Sequence, residues 1–189
     1  MTAATRLSDD VQATVLHKMW WAVLLRAIAI TAFAFLAFFR MGHSLPSLTQ
    51  LFAIYALADG LISIAGAVRG GGLTSRAGLA LGGAVSLAAS GAAFFWSGIT
   101  WVAFATLIAI WAVLRGALEF ISALVLRRYM ERDWSLALIG MLSILFGVGV
   151  FLRVGFEPWT FVRLLSCYAL VIGLLLFVLA VRFLRGFRA

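Results

Sequence analysis

The sequence predicts an all-α polytopic membrane fold: six transmembrane helices, used as three hairpin repeats around a pseudo-threefold axis, with both termini cytoplasmic. Three observations lead there. First, 65% of the 189 residues are hydrophobic and 12% are charged, with a mean hydropathy of +1.11. A soluble domain is about half apolar and about a quarter charged. Second, the apolar runs are continuous and about 20 residues long, enough for a helix to cross the hydrocarbon core. An outer-membrane barrel would instead show short segments of alternating polarity. Third, the even-numbered runs resemble one another at a fixed period.

The chain before the first span, residues 1–18, contains "RLSDDVQATVLHK", with Leu7, Val11 and Val15 at helical spacing. Ser8 is placed to cap a helix there, with Asp9 and Asp10 in its first turn. This segment reads either as an interfacial amphipathic helix or as a solvated lead-in. The first apolar run is too long for a signal-peptide core and no small-residue cleavage site follows it, so it is expected to stay as an anchor.

The six spans are expected at Met19–Phe39, Leu48–Val68, Ala77–Trp96, Trp101–Leu126, Trp134–Leu152 and Trp159–Val181. Tryptophans at several ends suit the headgroup region. Of the connections, "RGGGLTSR" is flexible and basic, "WSGIT" is a tight turn and "RRYMERD" is the most charged. Arg6, Lys18, Arg69, Arg76, Arg127, Arg128, Arg132, Arg182, Arg185 and Arg188 fall on one side, against Arg40, Arg153 and Arg163 on the other. Cytoplasmic loops hold the Lys/Arg excess, which places both termini in the cytoplasm. The formal charge of +8 is thereby assigned to orienting the spans; no basic stripe interleaved with aromatics points to nucleic acid.

The repeat is legible in "YALADGLISIAGAVR" from Tyr55, "WAVLRGALEFISALVLR" from Trp111 and "YALVIGLLLFVLAVR" from Tyr168. Each begins with an aromatic, continues with alanine, and carries glycine five positions on: Gly60, Gly116 and Gly173. The odd spans keep the register, aligning Gly83 with Gly140, Ser86 with Ser143 and Ser90 with Gly147; Ala27, Ile30 and Ala34 match more weakly in the first span. The repeats cover about residues 19–70, 76–128 and 133–185, within one membrane domain. A two-span unit returns to its starting side, so the copies share one orientation, unlike an inverted-repeat transporter. Gly60, Gly116, Gly173, Gly83 and Gly140 are expected to be packing residues that let helix backbones approach closely.

Four ionisable residues fall inside the spans: Arg26, Asp59, Arg115 and Glu119. Asp59 and Arg115 are equivalent in the repeat; Arg115 and Glu119 lie four apart, on one helix face. An unpaired charge at the bilayer centre costs about 3 kcal/mol on insertion scales. The four, which sum to zero charge, are therefore expected to face inward as one ionic network, with Asp59–Arg115 and Arg26–Glu119 as contacts between helices. Snorkelling of Arg26 to the cytoplasmic face is the competing placement. The network reads either as a static lock on helix register or as a proton-exchanging relay.

Catalysis has little to use. Cys167 cannot form an intrachain disulfide and is expected to be a small buried residue. His17 and His43 are expected near opposite membrane edges, where His43 would meet outside pH, and they form no metal cluster. "RGGGLTSR" lacks the Lys-Ser/Thr step of a phosphate loop.

"LLRAIAITAFAFLAF", "WAVLRGALEFISAL" with the basic pair after it, six spans and three hairpins together resemble the HdeD family of bacterial acid-resistance membrane proteins. The sequence departs from that pattern at Ala27, where a glycine often follows the arginine. The resemblance implies a non-enzymatic, multi-pass inner-membrane protein without cofactor, acting in acid resistance or envelope stress. Two further classes stand beside it. One is an accessory subunit packed beside a larger membrane protein complex, or beside its own copies. The other is a small proton-coupled transporter or channel using Asp59 and Glu119.

Overall fold

The computed structural model describes residues 3–39, 45–69, 76–96, 98–126, 135–153 and 157–185, with side chains described within 21–39, 45–69, 76–96, 98–124, 136–153 and 157–182. Six helices form: α1 Ala3–Phe39, α2 Leu45–Val68, α3 Arg76–Phe95, α4 Trp101–Leu126, α5 Ser135–Leu152 and α6 Pro158–Arg185. Five contain stretches long and apolar enough to cross a membrane. The apolar stretch of α5, Leu136–Leu152, is shorter; even the whole helix, 18 residues, spans about 27 Å against a hydrocarbon core of about 30 Å.

The helix ends follow local chemistry. Pro46 and Pro158 sit in first turns, where a missing N–H costs nothing. Between α3 and α4, Gly98 adopts φ 78°, a left-handed conformation that favours glycine and lets "WSGIT" reverse the chain tightly. Thr100 then caps α4, its Oγ1 accepting from the Ala103 amide at 3.2 Å and its carbonyl from Phe104 at 2.9 Å.

The lead-in segment is not a separate element. α1 runs unbroken for 37 residues, about 55 Å, so its apolar part, Trp21–Phe39, continues a helix that begins well outside the hydrocarbon. Ser8 lies inside that helix rather than at its start, so it does not occupy the N-cap position. His43, Arg40, Arg127, Arg128, Arg132 and Arg188 lie outside the described residues, as do the side chains of Arg6, His17, Lys18 and Arg185. Cys167 is exposed rather than buried: it follows the buried Leu165 and Ser166 onto the outer face of α6.

Each helix touches the next, and α6 returns to α1, closing a ring. The closeness of packing alternates. The tightest pairs are α2 with α3, α4 with α5 and α6 with α1. The hairpin pairs α1–α2 and α3–α4 touch less, and α5–α6 least of all. The sequence repeat is a hairpin, but the closest contacts join one hairpin to the next.

Glycine explains that preference. A Cβ on Gly116 would stand 2.7 Å from the Gly140 carbonyl oxygen, and one on Gly140 would stand 2.7 Å from the Gly116 oxygen. Between α2 and α3, Gly60 and Gly83 make the same reciprocal approach at 3.1 and 3.0 Å. At the α6–α1 contact Gly173 meets Thr31 and Ile30 instead of a second glycine. Thr31 stands one period before Leu87, the residue against Gly60, and two before Ile144, beside Gly116. Lipid tails are as apolar as leucine, so close backbone packing rather than water exclusion holds such interfaces.

Candidate functional site

The interior of the bundle has an aromatic half and an ionic half. Phe104 and Phe161 lie one turn into α4 and α6, Phe52 lies two turns into α2, and Phe33 lies near the end of α1, so all four gather at one end. Phe52 makes edge contacts with Phe33, Phe104 and Trp111, with ring centroids 5.5 to 6.4 Å apart. Phe33 stacks on Tyr55 at 5.0 Å, and Phe104 meets Phe161 at 6.2 Å. All are buried.

Asp59 lies two turns beyond Phe52 on α2, about 10 Å farther along the axis. Its Oδ1 accepts from Arg26 Nε at 2.8 Å and from Arg115 Nη2 at 3.2 Å. Its Oδ2 accepts from Ser86 Oγ at 2.7 Å and lies 3.0 Å from Arg115 Nη2. Arg26 Nη2 donates to Glu119 Oε1 at 2.6 Å, and that oxygen lies 3.7 Å from Arg115 Nε. Arg115 Nη2 also donates to Ser63 Oγ at 2.7 Å. Two cations and two anions thus form a closed set contributed by α1, α2 and α4, with Ser86 from α3.

The structure brings Asp59 to Arg115 and Arg26 to Glu119, and it adds the Arg26–Asp59 pair. Arg26 does not snorkel away. Side-chain exposure rises through the set, from 2% at Asp59 and 7% at Arg115 to 12% at Glu119 and 18% at Arg26. The cluster is therefore sealed towards the aromatics and least covered towards the other end. Near that end Arg69 lies over the Trp21 ring, 4.8 Å from its centroid, a cation–π contact that ties α2 to α1.

Several contributors were not singled out as site residues from the sequence. Gly82 leaves the space that Arg115 Nη1 occupies; a Cβ there would collide with it. One signal was available: Gly82 lies 56 positions after Arg26, so the same repeat position holds a cation in one copy and seats one in the next. Ser63 likewise lies 56 positions before Glu119. One period further on, in α5 and α6, the positions of Gly82, Arg115 and Glu119 hold Ile139, Ile172 and Leu176, all buried. The charges of the cluster therefore all come from α1, α2 and α4, and α5 and α6 place apolar residues at the charged positions while Ser143 keeps the hydroxyl of Ser86.

Hydrogen bonds beside the cluster repeat too. Trp111 Nε1 donates to Ser86 Oγ at 3.1 Å, and Ser86 donates on to Asp59. One period later Tyr168 donates to Ser143 Oγ at 2.8 Å. Ser143 has no aspartate to reach and donates to its own helix at the Ile139 carbonyl, 3.0 Å away. Tyr168 also stacks on Phe146 with centroids 4.0 Å apart.

Helices, hydropathy and internal repetition define a polytopic membrane protein with a repeated helical unit. Two copies of the family described as "Short repeat of unknown function (DUF308)" match residues 25–91 and 81–153. The matches together cover more than half of the chain, which therefore belongs to this family. Their starts are 56 residues apart, the period that relates Gly60 to Gly116. No curated protein and no solved structure matches the chain.

Proposed function

We propose that this is a non-enzymatic inner-membrane protein of the HdeD type, acting in acid resistance or envelope stress. It crosses the membrane six times with both termini cytoplasmic, and its three hairpins surround a pseudo-threefold axis. The ring of alternating tight and loose contacts, closed by α6 on α1, supports that arrangement. The ionic cluster is a static lock on the register of α1, α2 and α4.

The observation that carries this reading is the closed charge balance of the cluster. Each of the four groups lies within 4.0 Å of two opposite charges, and Ser63 and Ser86 add hydrogen bonds. A lock of that kind suits an acidified envelope, because the aromatic half stands between the carboxylates and the outer face. The test is survival of a strain lacking the protein after acid challenge, with the wild type and Asp59→Asn returned on a plasmid. Survival should fall without the gene, return with the wild type and stay low with Asp59→Asn. A deletion strain that survives as well as its parent rejects the assignment.

One observation favours a second reading, proton-coupled transport: exposure grows from Asp59 to Glu119 and Arg26, as in a path from one face. Proteoliposomes carrying a pH-sensitive dye separate the two. The lock predicts no proton flux above empty vesicles; flux that disappears in Asp59→Asn replaces the lock with a relay.

A further inference from the structure

An apolar groove of about 540 Å³ runs between α1 and α6 on the outer face of the bundle, lined among others by Ala27, Thr31, Ala32, Phe35, Leu174 and Phe177. It lies where Gly173 packs on Thr31, the one tight contact without a pair of glycines. Its lining is almost entirely carbon, so it offers nothing to a polar solute. The space suits one flexible hydrocarbon chain.

Charge supplies the other half of the ligand. Arg163, Leu170, Leu174 and Phe177 are spaced by seven, four and three residues on α6, which puts them on one face, and all four are exposed. Arg163 lies five residues into α6, beside the exposed Trp159, an aromatic suited to the headgroup layer. From Arg163 to the start of the groove at Leu170 is about 10 Å along the axis. Half of the hydrocarbon core is about 15 Å, so a chain anchored at Arg163 enters the groove before it reaches the midplane. We infer that the groove between α1 and α6 binds one acyl chain of an anionic phospholipid whose phosphate is held by Arg163.

Native mass spectrometry of the whole protein in mild detergent tests this, with phosphatidylglycerol, phosphatidylethanolamine or inorganic phosphate added. One phosphatidylglycerol should be retained per chain in preference to phosphatidylethanolamine, and inorganic phosphate should not displace it. Arg163→Gln should weaken that preference about fivefold, the factor that one cation near an anionic surface supplies. Ala32→Phe, which fills the groove from its exposed edge, should abolish retention of both lipids. Circular dichroism and size-exclusion profiles of the two variants should match the wild type, so that loss of lipid is not loss of fold. The inference is overturned by unchanged retention in Ala32→Phe, by equal retention of the two lipids by the wild type, or by displacement by inorganic phosphate. A lipid-free dimer that Ala32→Phe dissociates would overturn it in favour of a second copy of the chain.

Discussion

About 10 Å of one helix separates Phe52 from Asp59, and the two ends of that interval follow different rules. Around Phe52 the interior is rings in edge contact; no partner is obligatory, and the cost of a change follows volume and shape. Around Asp59 each group is committed to named partners, and the cost of a change follows charge. A neutral substitution of nearly the same size should therefore be mild in one half and severe in the other.

The largest effect is expected from Asp59→Asn. It keeps the shape but leaves Arg26 and Arg115 with Glu119 alone. Breaking a buried pair from one side costs about 3–5 kcal/mol, so thermal or SDS unfolding in detergent micelles should show a loss of that order. A loss below that of an apolar swap in the aromatic half would break the contrast.

Gly116→Val comes next. Its side chain meets the Gly140 carbonyl at 2.7 Å and the Ile144 nitrogen at 2.9 Å, backbone atoms that cannot step aside. Overpacking of this kind costs about 1–3 kcal/mol, and cysteine cross-linking between α4 and α5 should report the widened pair. In the aromatic half Ile108, fully buried, should tolerate Leu with a loss below about 1.5 kcal/mol in the same unfolding assay. Ser86→Ala sharpens the comparison from within the ionic half. It removes the hydroxyl that donates to the Asp59 carboxylate and accepts from Trp111 Nε1 but leaves the charges paired, so about 1.7 kcal/mol at most, the upper end for hydrogen bonds in membrane bundles, should be lost. A loss as large as that of Asp59→Asn would mean that hydroxyls rather than charges set the cost.

Much of this was legible in the sequence, for a physical reason: a membrane leaves few ways to place a charge. Arg26, Asp59, Arg115 and Glu119 announce themselves against an apolar background, and helical rise gives their depth. Matching depths pointed to Asp59–Arg115 and Arg26–Glu119. The Arg26–Asp59 contact was not legible, because it depends on how α1 and α2 rotate about their own axes. Gly82, Ser63 and Ser86 were harder still, since a small residue in an apolar helix carries no mark of what lies against it. The glycines of the tight contacts were visible, but not which helices they join. The sequence period groups α1 with α2 and α3 with α4, whereas Gly60–Gly83 and Gly116–Gly140 pack across the period. Ser8 misled because its local pattern suits a cap, while the helix starts earlier, at Ala3.

The most direct test of the charge-balanced interior is a double-mutant cycle at Arg26 and Asp59, whose Nε and Oδ1 are 2.8 Å apart. Unfolding free energies would be measured in one detergent for wild type, Asp59→Asn, Arg26→Gln and the double variant. Asp59→Asn leaves one cation in excess; adding Arg26→Gln restores neutrality with Arg115 and Glu119 still side by side. The double variant is expected to be more stable than Asp59→Asn alone. A double variant that loses the sum of the two single losses would contradict the account.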